Sequence, residues 1–250
     1  MIDLTHPFGN DTLYFPGDEG SFELSPVQRG RTNAGWYYAA NRFAAPEHGG
    51  THIDAPSHFA EGHAGVDALP LGRLIAPAVV IDISEQASRD PDVLLEPAAI
   101  EAHEAAHGPI APDSIVLVRT DWATRWPSRG NYLGDTHDPK KPGHHFPGIS
   151  EAAAKALVLR KVSAVGIDTA SIDNGQSRDF LAHRLLASVD VPSFTNLARL
   201  DMLPPVGALV IALPMKIAGG TGAPLRIVAI APARQPSLPP ATVTGSGGTR

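Results

Sequence analysis

Four short, unbroken apolar runs constrain the fold of this chain more than any other feature: PAVVIDI (Pro77 to Ile83), SIVLVRT (Ser114 to Thr120), VSAVGID (Val162 to Asp168) and ALVIALPM (Ala208 to Met215). Their length and β-branched content suit strands. Their apolar character does not alternate, so both faces of each strand must be covered. A fifth run, PLRIVAIAP (Pro224 to Pro232), follows GGTGA and is expected to pair with ALVIALPM across that glycine-rich turn. Helices are expected over Leu95 to His107, stopped by Gly108 and Pro109, over Ser150 to Lys161, and over Asp179 to Ala187. Ser150 can cap the second of these, and Glu151 suits its positive N-terminal end. Strands and helices intermix from Ile81 to Phe194 between a β-rich start and end, the pattern of a single α/β domain.

A chain of 250 residues can bury a substantial core, and 43% apolar and 18% charged content are ordinary for a soluble globular protein. No apolar run approaches the roughly 20 residues that span a bilayer, and MIDLTHPFGN lacks the basic and apolar regions of a secretory signal, so a cytoplasmic location is expected. With no cysteine, any metal must be held by imidazole and oxygen. A net charge of −6 without a basic stripe argues against nucleic-acid binding. QPSLPPATVTGSGGTR (Gln235 to Arg250) has little to bury. The expected organisation is therefore one domain over residues 1–234 and a disordered tail over 235–250.

EHGGTHIDAPSH (Glu47 to His58) places His48, His52, Asp54 and His58 within one short stretch. Thr, Ile and Pro favour an extended segment here, and residues two apart on a strand share a face, so His52 and Asp54 can converge on one point. A bend at Gly49-Gly50 can bring His48 to the same place, and Pro56 redirects His58. Two imidazoles and one carboxylate commonly hold zinc, manganese or iron, and three protein ligands leave positions open for water and substrate.

A second motif competes. HEAAH (His103 to His107) matches H-E-x-x-H, in which two histidines a helical turn apart bind zinc and the glutamate is a protease's base. Its helix ends at once at Gly108-Pro109, a strand follows, and LEPAAIEAHEAAHG reads as an Ala-rich helix with His and Glu on its wet face. Elsewhere, Asp168, Ser171 and Asp173 lie where VSAVGID ends, the end of a strand at which open α/β sheets place ligands. GHHFPGIS can line a pocket or merely connect two elements, and His183 is expected on a wet helix face beside Arg184. GGTGAP fits no phosphate-binding motif and reads as a tight turn.

HGGTHIDAPSH resembles the H-x-G-T-H-x-D-x-P-x-H signature of the cyclase family, metal-dependent hydrolases that include bacterial kynurenine formamidases and isatin hydrolases. The resemblance continues through YFPGD, RWPSRGNYLG, HFPGIS, GIDTASID, DFLAHRLL and ALPMKIAGGTGAPLRIVAIA, and so covers Met1 to Pro232. It implies a swivelling β/β/α-type fold with a mixed central sheet, and a homodimer or higher homo-oligomer. It implies metal ligation by His48, His52 and Asp54, with His58 as the catalytic histidine. His183, Phe59 and Asp18 are candidates for positions behind the ligands or on the substrate side. Two-zinc members hold a second metal with the last signature histidine, a later histidine and a glutamate; here His183 stands in the matching place, but FTNL puts Thr195 where that glutamate would be. A hydroxyl is a poor substitute for a carboxylate ligand.

One divalent ion, Mn2+ or Zn2+, is therefore expected, as in the isatin hydrolase branch. The expected reaction is hydrolysis of a carbon–nitrogen amide bond in a small cyclic or aryl amide, with His58 moving the proton. Trp36, Phe59 and Phe146 are candidates for an aromatic pocket wall. The alternatives are arylformamidase activity and a non-catalytic binding protein that retains the fold.

Overall fold

The computed structural model describes residues 1–15, 20–135 and 143–232. Asp18 and the tail expected over 235–250 lie outside the described residues. In chain order the strands are β1 (Ile2–Asp3), β2 (Glu23–Arg31), β3 (Tyr37–Ala44), β4 (His52–Asp54), β5 (Ile75–Asp82), β6 (Leu94–Leu95), β7 (Ile115–Arg119), β8 (Gly148–Ile149), β9 (Ala164–Ile167), β10 (Ser193–Thr195), β11 (Ala208–Pro214) and β12 (Gly222–Ile230). The α-helices are α1 (Leu71–Leu74), α2 (Ser84–Arg89), α3 (Pro97–His107), α4 (Arg129–Leu133), α5 (Glu151–Leu159) and α6 (Leu181–Ala187).

The main sheet runs β1-β12-β11-β5-β7-β9-β10-β4, and an additional β12–β4 pairing closes it into a ring. Strands β5, β7, β9 and β10 are mutually parallel, whereas β4, β11 and β12 pair antiparallel with their neighbours. The mixed sheet matches the expectation from sequence; its closure is added by the structure. Alternation within the central strands divides the core. Ile115 and Leu117 of β7 join Ile53, Phe194, Val210, Ala212, Ala223 and Ile227 in a cluster to which every ring strand contributes. Val116 and Val118, on the opposite face, pack with Val165 and Ile167 against Ile100 of α3, Leu157 of α5 and Leu186 of α6. Both faces of these strands are thus covered, which explains why their sequence shows no alternation.

Capping follows the sequence. The Ser150 hydroxyl accepts from Ala153 N at 3.0 Å at the start of α5, an interaction typically worth about 1 kcal/mol. Helix α3 ends at Gly108 with φ 90°, a left-handed conformation that glycine adopts without strain. One expectation for this helix fails. His103 is buried beside Ile100, not on a wet face, and Glu104 is half-buried against Arg160.

Strands β2 and β3 form a separate two-stranded ribbon. Leu24, Val27, Trp36, Tyr37, Tyr38 and Phe43 on it are exposed, while Phe22 stacks on Phe43 and meets Phe8 at its base. Among the described residues no helix is long and apolar enough to cross a membrane.

Candidate functional site

Strand β4 inserts between β10 and β12, which places His52 opposite Thr195 and Pro224, and Asp54 opposite Ser193 and Gly222. Residues opposite one another across a strand pair share a face. Ile53 enters the barrel core, while His52 and Asp54 turn to the other face and are themselves buried. The Ser193 hydroxyl donates to Asp54 Oδ2 at 3.0 Å, and the Thr195 hydroxyl lies 3.2 and 3.3 Å from the two ring nitrogens of His52. Gly50, with φ 57°, makes the bend that brings His48 back over β4.

A carbonyl or carboxylate can only accept, so each ring donates from its far-side nitrogen, and the nitrogen facing Asp54 carries either a second proton or a metal ion. His52 Nδ1 lies 2.9 Å from the Gly50 carbonyl and must donate to it, while Nε2 faces Asp54 Oδ1 at 3.2 Å. His48 Nε2 lies 2.9 Å from Thr221 Oγ1, whose own proton goes to Glu47 Oε2 at 2.9 Å. His48 Nε2 therefore donates, and its Nδ1 faces the same Asp54 oxygen at 2.8 Å. Two ring nitrogens and a carboxylate meet at Asp54 Oδ1. A proton on one ring satisfies only that ring, whereas a divalent cation satisfies all three groups, so this donor set fits a metal ion.

Among the described residues, the group whose ligand atoms all lie within 4.8 Å of one another and could hold a metal is His48, Asp54 and His58, with His58 in the place expected for His52. His58 follows from the short 3-10 turn Pro56–His58 and stacks on His48 with ring centroids 3.8 Å apart and planes 19° apart, whereas His48 and His52 stand at 81°. His58 is exposed at the rim, but Phe59 also packs on it. Desolvation lowers its pKa to about 4, the neighbouring histidines add to that shift, and Asp54 opposes it.

Behind Asp54, His183 of α6 bridges two carboxylates: Nδ1 donates to Asp173 Oδ2 at 2.6 Å, and Nε2 stands 3.5 Å from Asp54 Oδ2. Asp173 also accepts from Ala182 N and His183 N, so one carboxylate ties the start of α6 to the site. Burial acts to lower the His183 pKa, but Asp173 and Asp54 outweigh it and raise it to about 9. Burial likewise acts to raise the Asp54 carboxyl, and the surrounding histidines override it and hold it well below the usual range. His183 is thus a buried, paired residue, contrary to the wet-face expectation.

A cavity of about 220 Å³ opens over these groups, lined by His48, His52, Asp54, His58, His183 and Thr195 on one side and by Phe15, Phe59 and Phe180 on the other. Of the aromatic candidates only Phe59 reaches it. Trp36 is exposed on the β2–β3 ribbon, and Phe146 is buried with Trp122 and Tyr132 in a separate cluster. Phe15 and Phe180 were not legible as wall residues, since nothing local sets them apart from core aromatics. Ser171 also lines the cavity, and Asp173 stands behind His183. Asp168 is buried and accepts from Thr120. In GHHFPGIS, His144 pairs with Asp135 and His145 with Asp92, so that stretch connects elements away from the cavity.

The Cyclase family model ("Putative cyclase") matches residues 2–174. The chain belongs to the cyclase family. One curated cyclase-family relative, an isatin hydrolase of Roseibium aggregatum, is 38% identical over 206 residues, 79% of this chain and 77% of that one. Another, a kynurenine formamidase of Salinibacter ruber, is 30% identical over 228 residues, 91% of this chain and 96% of that one. The structure of an isatin hydrolase bound to the product analogue thioisatinate superposes with a TM-score of 0.85 at 35% identity and covers 92% of each chain. The closed mixed barrel is therefore the cyclase-family fold.

Proposed function

We propose that this chain is a one-metal amidohydrolase that cleaves the carbon–nitrogen bond of a small cyclic or aryl amide. The observation that carries the reading is the meeting of His48 Nδ1 and His52 Nε2 at Asp54 Oδ1 beneath an aromatic-walled cavity. His48, His52 and Asp54 are the ligands in this reading, and His58 is free of the metal. Ring geometry supports that division. An imidazole binds a metal in its own plane, and the nearly parallel His48 and His58 planes do not meet at one ion, whereas the 81° between His48 and His52 lets theirs intersect. Thr195 supports a single ion, because among the described residues the carboxylates paired with His183 are Asp54 and Asp173, and Thr195 adds none. The donor set suits Zn2+ or Mn2+.

When bound, such a cation polarises a carbonyl oxygen and lowers the pKa of an adjacent water toward about 7. The protein supplies the rest. Phe15, Phe59 and Phe180 take the flat apolar part of the substrate and exclude bulk water from the scissile bond. Neutral His58 accepts the proton lost by the attacking water as the new carbon–oxygen bond forms, then delivers it to the nitrogen as the carbon–nitrogen bond breaks. A cyclic amide opens to one product carrying both carboxylate and amine, and an N-formyl amide gives two. Similarity to a kynurenine formamidase over 91% of this chain keeps arylformamidase activity as the second reading.

The chain is further proposed to act as a homodimer or larger homo-oligomer. Support comes from the β2–β3 ribbon, since a two-stranded ribbon with exposed aromatics is marginal in water by itself. Light scattering of the purified chain tests this, and a monomer contradicts it.

The experiment for the activity strips the protein with chelator, restores Zn2+ or Mn2+, and measures hydrolysis of isatin-type cyclic amides against N-formyl anilines. Metal-dependent turnover favouring the cyclic amides is expected. Preference for the formyl compounds selects the second reading, and a metal-loaded protein that cleaves neither leaves the non-catalytic binding protein standing.

A further inference from the structure

Glu47 and Thr221 take no part in the chemistry above, yet they meet the ligand segment from opposite ends of the chain. Glu47 Oε2 accepts from Thr221 N at 3.0 Å, from Thr221 Oγ1 at 2.9 Å and from Gly222 N at 3.3 Å. The Thr221 carbonyl accepts from Ala55 N at 2.8 Å, just past the end of β4. The glycines on either side of Thr221 leave the space this needs. A Cβ on Gly220 would stand 2.9 Å from Glu47 Oε1, and one on Gly222 would stand 2.4 Å from His48 Cε1. The GGTGAP turn thus fits against both the carboxylate and the imidazole, a role beyond joining β11 to β12.

We infer that Thr221, its hydroxyl oriented by Glu47, is a positioning residue that holds His48 as the Nε2–H tautomer and aims its Nδ1 at the metal. The inference rests on the metal-centre reading. A hydroxyl has one proton, and Glu47 takes it; the Thr221 oxygen is left as an acceptor, which forces His48 Nε2 to donate. A carboxylate at the far end of the relay also makes His48 Nδ1 a better electron donor, as when a metal-bound histidine is hydrogen-bonded to a carboxylate directly.

The test compares Thr221→Val, nearly the same shape without the hydroxyl, with Thr221→Ser, which restores it. Mn2+ affinity is read from the electron paramagnetic resonance signal of free Mn2+, independently of turnover, and the Co2+ visible spectrum reports ligand geometry. Thr221→Val is expected to bind Mn2+ about 10- to 100-fold more weakly with an altered Co2+ spectrum, while Thr221→Ser stays close to the parent. The thermal midpoint in chelator should be alike for all three proteins. A parent that binds no Mn2+ overturns the metal-centre reading and this inference together. A parent that binds tightly with Thr221→Val unchanged, or with Thr221→Ser equally weakened, overturns the relay alone. Should Thr221→Val not fold, Glu47→Gln carries the test: it keeps side-chain length but removes the carboxylate, and unchanged Mn2+ affinity there contradicts the relay.

Discussion

In HGGTHIDAPSH, the rings of His48 and His52 each spend one nitrogen on a hydrogen-bond acceptor and turn the other to Asp54. In HEAAH, His103 is buried with Nε2 unpartnered among the described residues, its ring centroid lies 4.9 Å from that of exposed His107, and Glu104 is held by Arg160 at 2.5 and 2.8 Å. Both motifs have metal-like spacing. The first has its far-side nitrogens pinned and a carboxylate at the focus, and the second has neither. Spacing brings imidazoles near one another; their partners decide whether the lone pairs can be used.

The widest separation between the motifs is expected from alanine substitutions. His52→Ala should lose the metal and reduce kcat/KM by about a thousandfold or more, whereas His103→Ala should leave both within about twofold, since it touches no group of the cavity. Inactivation by His103→Ala would restore the protease reading. His58→Ala sharpens the division within the first motif: metal content should persist while kcat falls about 10²- to 10⁴-fold, and full activity would remove His58 from its proposed role.

Glycines next to each motif give a smaller contrast. Gly222→Ala should weaken metal binding roughly tenfold or more, since the new methyl would displace the His48 ring. Gly108→Ala meets open space but a φ of 90°, so it should cost about 1 kcal/mol of stability and no metal.

Glu104 provides the smallest effect and a pH signature. The Arg160 guanidinium holds its carboxyl down at about 2. A depressed acid contributes stability that is present above the unfolded value near 4.5 and is lost as pH falls toward 2. Glu104→Gln should therefore cost about 1 kcal/mol at pH 7, discounted for screening of a partly exposed pair, with the deficit shrinking below pH 4.5 and turnover per folded molecule unchanged. Denaturant melts across pH check this, and a loss of turnover at full stability would make Glu104 a catalytic base after all.

How legible the molecule was in its sequence follows from range. Strands β5, β7, β9, β11 and β12 announced themselves by unbroken apolar runs, and α5 by its Ser150 cap, because these signals lie within a few residues. The β12–β4 pairing that closes the ring joins Gly222 to Asp54 across most of the chain, and no local pattern encodes it. His103 was misplaced because an Ala-rich helix has no strong apolar stripe to say which side is buried. The ribbon escaped because both of its faces mix polar and apolar residues. For the site, His48, His52, Asp54 and His58 are visible through spacing and Asp173 through its place beyond the end of β9, while Glu47, Thr221 and Ser193 act through contacts that only the folded chain creates. Thr195 was noticed for what it does not supply, and its place against His52 came from β10–β4 register.

The most direct measurement is the divalent metal content, by elemental analysis, of the parent, His52→Ala and His103→Ala chains purified identically without chelator. One ion per chain in the parent and His103→Ala, with almost none in His52→Ala, is the result this account predicts. Metal retained by His52→Ala, or lost from His103→Ala, would contradict it.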